Sequence, residues 1–144
     1  MNLIIYDKKD TTMRSKKLNI HYQLPSVKKI ITNPMTSEDE LQKLADSINL
    51  KVQIIWRKDY NKNSLLSTII NMGSPEIGGS HWVAVYRNKY FDSFGLPPPP
   101  KMEHLEWTPL QIQNVNYGHC GQYALFWLYY AKKGEIDQFY SQFS

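Results

Sequence analysis

At 144 residues, 42% hydrophobic and 21% charged, the chain has the size and composition of one globular domain with its own core. Its single cysteine excludes an internal disulfide and points to a reducing compartment, and no apolar run approaches the roughly 18 residues of a membrane span. The formal net charge of +4 is unevenly placed: residues 1–34 hold seven Lys/Arg against Asp7 and Asp10, a net of +5 that leaves −1 for the rest.

That basic arm mixes short β-prone pieces ("NLIIYD", "VKKIIT") with polar breaks and Pro25, and is expected to be the least regular part. "MNLIIYDKKD" is too short an apolar stretch for a signal peptide. After Pro34 a helix is announced, with Thr36 or Ser37 as cap and Glu38, Asp39 and Glu40 suited to the positive end of its dipole. Leu41, Leu44, Ala45 and Ile48 form its apolar face, and Asn49 is a fair stop. "VQIIW" (52–56) predicts a short strand, while "SLLSTIINM" (64–72) fits a short helix or a buried strand equally.

"HWVAVYRNKYFDSFG" (81–95) predicts a β-hairpin turning on Arg87-Asn88, with asparagine the residue that tolerates the left-handed conformation. Pro97 to Pro100 read as a stiff surface connector, "KMEHLEW" as a polar connection, and "LQIQNV" as a further short strand. A helix apolar nearly all round runs from Cys120 to about Lys133, stopped by Gly134, and "EIDQFYSQF" adds a last helical segment. The elements sum to an α+β domain with a central helix packed on a small mixed sheet.

Cys120 has two readings. Free cysteines are commonly buried small hydrophobes. A thiol at a helix N-terminus instead faces unpaired N–H groups and the positive dipole end, which favour a thiolate. His81, at the start of a β-run after Gly78-Gly79-Ser80, is the best base candidate. With the hairpin turning on Arg87-Asn88, Asp92 lies opposite Val83, on the face of His81 and one diagonal step away. A carboxylate there would orient the imidazole and stabilise its charged form. Gln113, seven residues before the cysteine, can supply an amide to an oxyanion hole together with the Cys120 N–H. His119 adjoins the cysteine but neighbouring side chains at a helix start do not face each other. His21 and His104 are scattered, no second cysteine exists, and neither a metal nor a cofactor is expected.

"GGSHWVAVY", then "YFDSFG", then a glutamine seven positions before "CG" on an apolar helix, resembles the adenain-like cysteine proteases. These are maturation proteases of adenovirus type, with relatives in virophages and Maverick/Polinton elements, in the clan that also holds the SUMO and ubiquitin-like proteases. "SEDELQKLADSINL" is similar to the family's opening helix, and the resemblance covers roughly residues 36–131. It implies a papain-like protease domain over 35–144, preceded by the arm at 1–34. By the same resemblance His81 is the general base, Asp92 the acidic third member, Gln113 the oxyanion-hole glutamine and Cys120 the nucleophile. Trp82 matches the aromatic that helps wall the cleft.

The implied function is a cysteine endopeptidase that processes capsid or core precursors after small residues such as glycine, inside the virion or infected cell. For a non-viral source a cytoplasmic or nuclear enzyme is expected. The alternatives are an isopeptidase for a ubiquitin-like modifier and a non-enzymatic nucleic-acid-binding core protein. Expected partners are protein or peptide substrates and DNA, held non-specifically by residues 1–34. With one thiol, any activating peptide must bind without a disulfide. No membrane partner is expected.

Overall fold

The computed structural model describes residues 37–73, 81–112 and 119–143. The basic arm at 1–34, the glycine loop before His81 and Gln113 lie outside them. Three helices and five strands form a mixed α+β arrangement among these residues: α1 (Glu38–Ser47), β1 (Gln53–Trp56), β2 (Thr68–Asn71), β3 (Trp82–Tyr86), β4 (Lys89–Phe91), β5 (Glu106–Trp107), α2 (Cys120–Lys132) and α3 (Ile136–Ser141). The strands make one sheet in chain order, with β1/β2 and β4/β5 parallel and the two inner pairs antiparallel.

Helix α1 begins at Ser37, whose hydroxyl accepts from the Glu40 N–H while Glu40 reaches back to the Ser37 N–H at 3.2 Å, a capping box. It stops at Asn49, which takes φ 58°, and Leu50 N–H closes back on the Ala45 carbonyl at 2.9 Å. The ambiguous run at 64–72 resolves as strand β2, with all four residues buried. Burial on both faces, Thr68 and Asn71 included, explains why no polar/apolar alternation marks it as a strand.

The sheet separates two cores. Ile69, Ala84 and Phe91 face the helices, with α2 lying along β3 between α1 and α3. Twelve of the thirteen α2 residues are buried, so its all-round apolar sequence is that of an enclosed helix. Phe91 stacks on Trp127 at 5.6 Å and meets Phe139 edge-on at 5.5 Å, tying β4 to α2 and α3. The alternate residues Ile70, Val83, Val85 and Tyr90 face the other side, where Met102 and Leu105 cover them. The proline run is therefore more than a connector, since its terminal 3-10 turn (Pro100–Met102) seats Met102 fully buried against the sheet.

The β3–β4 hairpin pairs Ala84 with Phe91, Val85 with Tyr90 and Tyr86 with Lys89, the register expected for a turn on Arg87-Asn88. The positive φ falls on Arg87 (57°) and not on Asn88, and the Arg87 guanidinium lies 5.2 Å from the centre of the Tyr86 ring. Strand β5 was not expected in the polar connection at 101–107. Only two residues pair, and Glu106 is held there by Lys89 at 2.8 Å and Asn88 at 3.2 Å, so charge pairing rather than an apolar pattern marks the strand. Leu110–Ile112, expected to open a strand, forms no ladder. No described helix is long and apolar enough to cross a membrane.

Candidate active site

The row beyond the last β2–β3 pair, Asn71 with Trp82, holds Met72 and His81, joined by a 2.8 Å bond from Met72 N–H to the His81 carbonyl. His81 thus leads directly into β3, and by alternation its side chain lies on the face of Val83, away from Trp82. Asp92 follows β4 on that same face, opposite Val83 in the extended register. The two meet: His81 Nε2 is 2.8 Å from Asp92 Oδ1, with side chains 15% and 5% exposed. The diagonal placement expected from the hairpin register is the one observed.

Asp92 is itself fixed by a local turn. Its Oδ1 also accepts from the Phe94 N–H at 2.8 Å, and its carbonyl accepts from the Gly95 N–H at 2.8 Å. Gly95 has φ +76°, and a Cβ there would lie 2.9 Å from the Leu110 and Gln111 backbone, so both conformation and space demand glycine. The turn folds the Phe94 ring onto His81, centroids 4.1 Å apart and planes 9° from parallel. Phe94 was not among the residues singled out from the sequence. "Asp-Ser-Phe-Gly" is a turn signature whose aspartate bonds the backbone two residues on, and that signal places the aromatic over the histidine.

Cys120 is the first residue of α2, with His119 as N-cap, and is 7% exposed. Its sulfur accepts the Trp82 N–H at 3.4 Å. This contact requires close packing of α2 on β3, which Gly121 permits. A Cβ at Gly121 would stand 2.8 Å from Leu41 Cδ2 and 3.2 Å from Trp82 Cδ1. Trp82, assigned to the cleft wall by resemblance, packs its side chain into the helix-side core and offers its backbone to the thiol.

The ring titration follows from these neighbours. Burial disfavours the imidazolium, but the Asp92 bond, the Cys120 thiol and the negative charge of both outweigh it, and the His81 pKa is pushed up to about 9. A carboxylate can only accept, so Nε2 carries hydrogen toward Asp92 and Nδ1 is the remaining basic position. Nδ1 is buried and closes no hydrogen bond of ordinary geometry. The influence of Cys120 on the ring is accordingly that of a close neighbour rather than of a well-formed bond.

Of the five residues singled out, His81, Asp92 and Cys120 come together, Trp82 adjoins them, and Gln113 lies outside the described residues. The chain runs toward Gln113 from Ile112, whose N–H bonds the Ser93 carbonyl at 2.9 Å, one residue from Asp92. No group of side chains suited to a metal ion occurs among the described residues. Comparison with protein-family models, with curated proteins and with solved structures returns no match to this chain.

Proposed function

We propose that this chain is a cysteine peptidase of the adenain-like kind, built on a papain-like domain, that processes capsid or core precursors of a virus or virus-like element. The observation that carries the reading is the His81–Asp92 bond of 2.8 Å beside a cysteine that opens a buried helix. Carboxylate, imidazole and thiol stand in the order the chemistry needs.

In this reading the thiol proton resides on His81 Nδ1, where Asp92 supports the imidazolium. The Cys120 sulfur attacks the scissile carbonyl carbon, and the displaced electron pair moves to the carbonyl oxygen. That oxyanion is held by the Cys120 N–H, one of the N–H groups a helix start leaves without an intrahelical partner, and by the Gln113 amide. Collapse of the tetrahedral adduct breaks the C–N bond, and the leaving amine takes the proton from Nδ1. Water then attacks the thioester while Nδ1 accepts its proton, and cleavage of the C–S bond frees the acid and leaves the thiolate beside the protonated Nδ1, which is the resting pair. The shared sequence pattern with the family supports cleavage after small residues such as glycine.

The test is incubation of the full chain with candidate precursor proteins and a mixed peptide library, with cleavage sites identified by mass spectrometry. Cleavage that disappears in Cys120→Ala and in His81→Ala is expected. Cleavage that persists in a clean Cys120→Ala preparation would sink the assignment.

A further inference from the structure

On the side of the sheet that carries His81 lies a groove of about 410 Å³. Its walls include Gly73, Pro99 and the buried Met102, and its rim carries the exposed Arg57, Lys58 and Lys101. No acidic side chain lines it among the described residues. Lys58 has a loose partner in Asp59 at 3.8 Å, whereas Arg57 and Lys101 make no ion pair among the described residues. An apolar trough rimmed by unneutralised cations is complementary to an extended acidic chain.

The groove's position ties it to the candidate catalytic pair. Ile55, Ile70 and Val83 form one cross-strand row and Trp56, Asn71 and Trp82 the next. Met72 and His81 form the row after that, and Arg57 leaves β1 beside it as the first residue of a 3-10 turn (Arg57–Asp59), which puts it two strands from the histidine, on the order of 10 Å at the usual strand spacing. Alternation sends Met72 and His81 to the same face, where Met72 packs against the cluster that holds Met102. Tyr90 packs on that face: burial raises its hydroxyl pKa, the Asp92 charge adds to that, and the Arg57 charge opposes it. Arg57 and Asp92 are therefore both near enough to this hydroxyl for their charges to reach it.

We propose that this groove is a substrate subsite for an acidic peptide segment, with Arg57 and Lys101 as the residues that select glutamate or aspartate on one side of the scissile bond. The proposal rests on the peptidase reading. Its selectivity comes from exposed pairs, each worth a few-fold at most, so two of them yield about a five- to tenfold preference that fades with salt.

Two measurements on the full chain separate this proposal from the reading beneath it. The first is fluorescence anisotropy of a labelled triglutamate peptide flanked by glycines, and of its triglutamine counterpart, with the Cys120→Ala protein. Binding about five- to tenfold tighter for the glutamate peptide, lost in Arg57→Gln/Lys101→Gln and retained in Arg57→Lys/Lys101→Arg, is expected. A preference that survives the double glutamine variant belongs to the basic arm and overturns the subsite, as does equal binding of the two peptides. The second is cleavage of a peptide library by the wild-type chain, with acidic residues expected at a fixed distance from the cut. Cleavage without that enrichment overturns the subsite alone. Glutamate-selective binding with no cleavage of any peptide overturns the peptidase reading and leaves an acidic-peptide groove.

Discussion

The backbone N–H of Trp82 points at the sulfur of Cys120, 3.4 Å away. One residue earlier His81 leads into the same strand, so a single dipeptide positions both the thiol and the imidazole. The junction of α2 on β3 is therefore part of the site, and its tolerance to change is set by packing.

Gly121 is where that junction is tightest. An alanine there would place its Cβ 2.8 Å from Leu41 Cδ2, on a leucine with no exposed surface. Overpacking of this kind costs about 1–3 kcal/mol, read from the urea midpoint of Gly121→Ala. Leu41→Ala alone costs about 2–5 kcal/mol through its cavity, but the double variant is expected to be less destabilised than the two added together, since each relieves the other. Strict additivity would place the strain elsewhere.

The site's geometry was legible in the hairpin because register is arithmetic. Once the turn is placed on Arg87-Asn88, pairing fixes which residues share a face, and the His81–Asp92 bond follows. The turn's internal conformation was not legible. Arg87 takes the positive φ that asparagine favours, with its guanidinium over the Tyr86 ring, a stabilisation that turn propensities do not contain. Likewise β5 is a pairing of two residues held by an ion pair of Glu106 with Lys89 and a hydrogen bond from Asn88, and no hydrophobic period marks so short a strand.

Gln113→Ala is expected to lower kcat by about 10²–10³, the effect of removing one oxyanion donor, with KM little changed. The Ile112 to Ser93 bond brings Ile112, the residue before this glutamine in the chain, alongside the Asp92 turn. A rise in KM at constant kcat would assign Gln113 to substrate binding instead.

Gly95→Ala tests whether that turn matters. The substitution forces a left-handed φ of +76° on a residue with a Cβ and drives it against the Leu110–Gln111 backbone at 2.9 Å. The conformational part alone costs roughly 1–2 kcal/mol, and displacement of 110–112 or of the Asp92 turn is expected to reduce turnover in the protein that remains folded. Unchanged turnover per folded molecule, with stability lost, would show that the turn serves the fold only.

Asp92→Asn removes the negative charge that sustains the imidazolium and leaves the histidine in place. Turnover is expected to fall by less than the ~10²–10⁴ anticipated for His81→Ala. The more specific signature is in the pH profile. Asp92 is among the groups that push the His81 pKa up to about 9, so the alkaline limb of kcat/KM moves to lower pH in the variant. A lower rate with an unmoved limb would mean that Asp92 supports the backbone turn to Phe94 and not the imidazole.

The same pair makes folding stability pH-dependent, with a sign opposite to that of a salt-bridged carboxylate. In the unfolded chain the imidazole titrates near 6.5, whereas in the fold it titrates at about 9, so the folded state holds the proton more tightly. The contribution is complete below about pH 6.5, declines as pH rises, and is lost once pH passes about 9. At ~1.4 kcal/mol per unit, and with the site almost closed to solvent, it amounts to at most about 3 kcal/mol. Lysine and tyrosine titrations affect wild type and variant alike, so the informative quantity is the difference between wild type and Asp92→Asn in denaturant-derived stability. That difference is expected to be largest at pH 6 and to shrink by pH 9.5. A constant difference across the range would assign the cost of the substitution to the Phe94 N–H and the turn, and would remove the raised pKa from the stability of the fold.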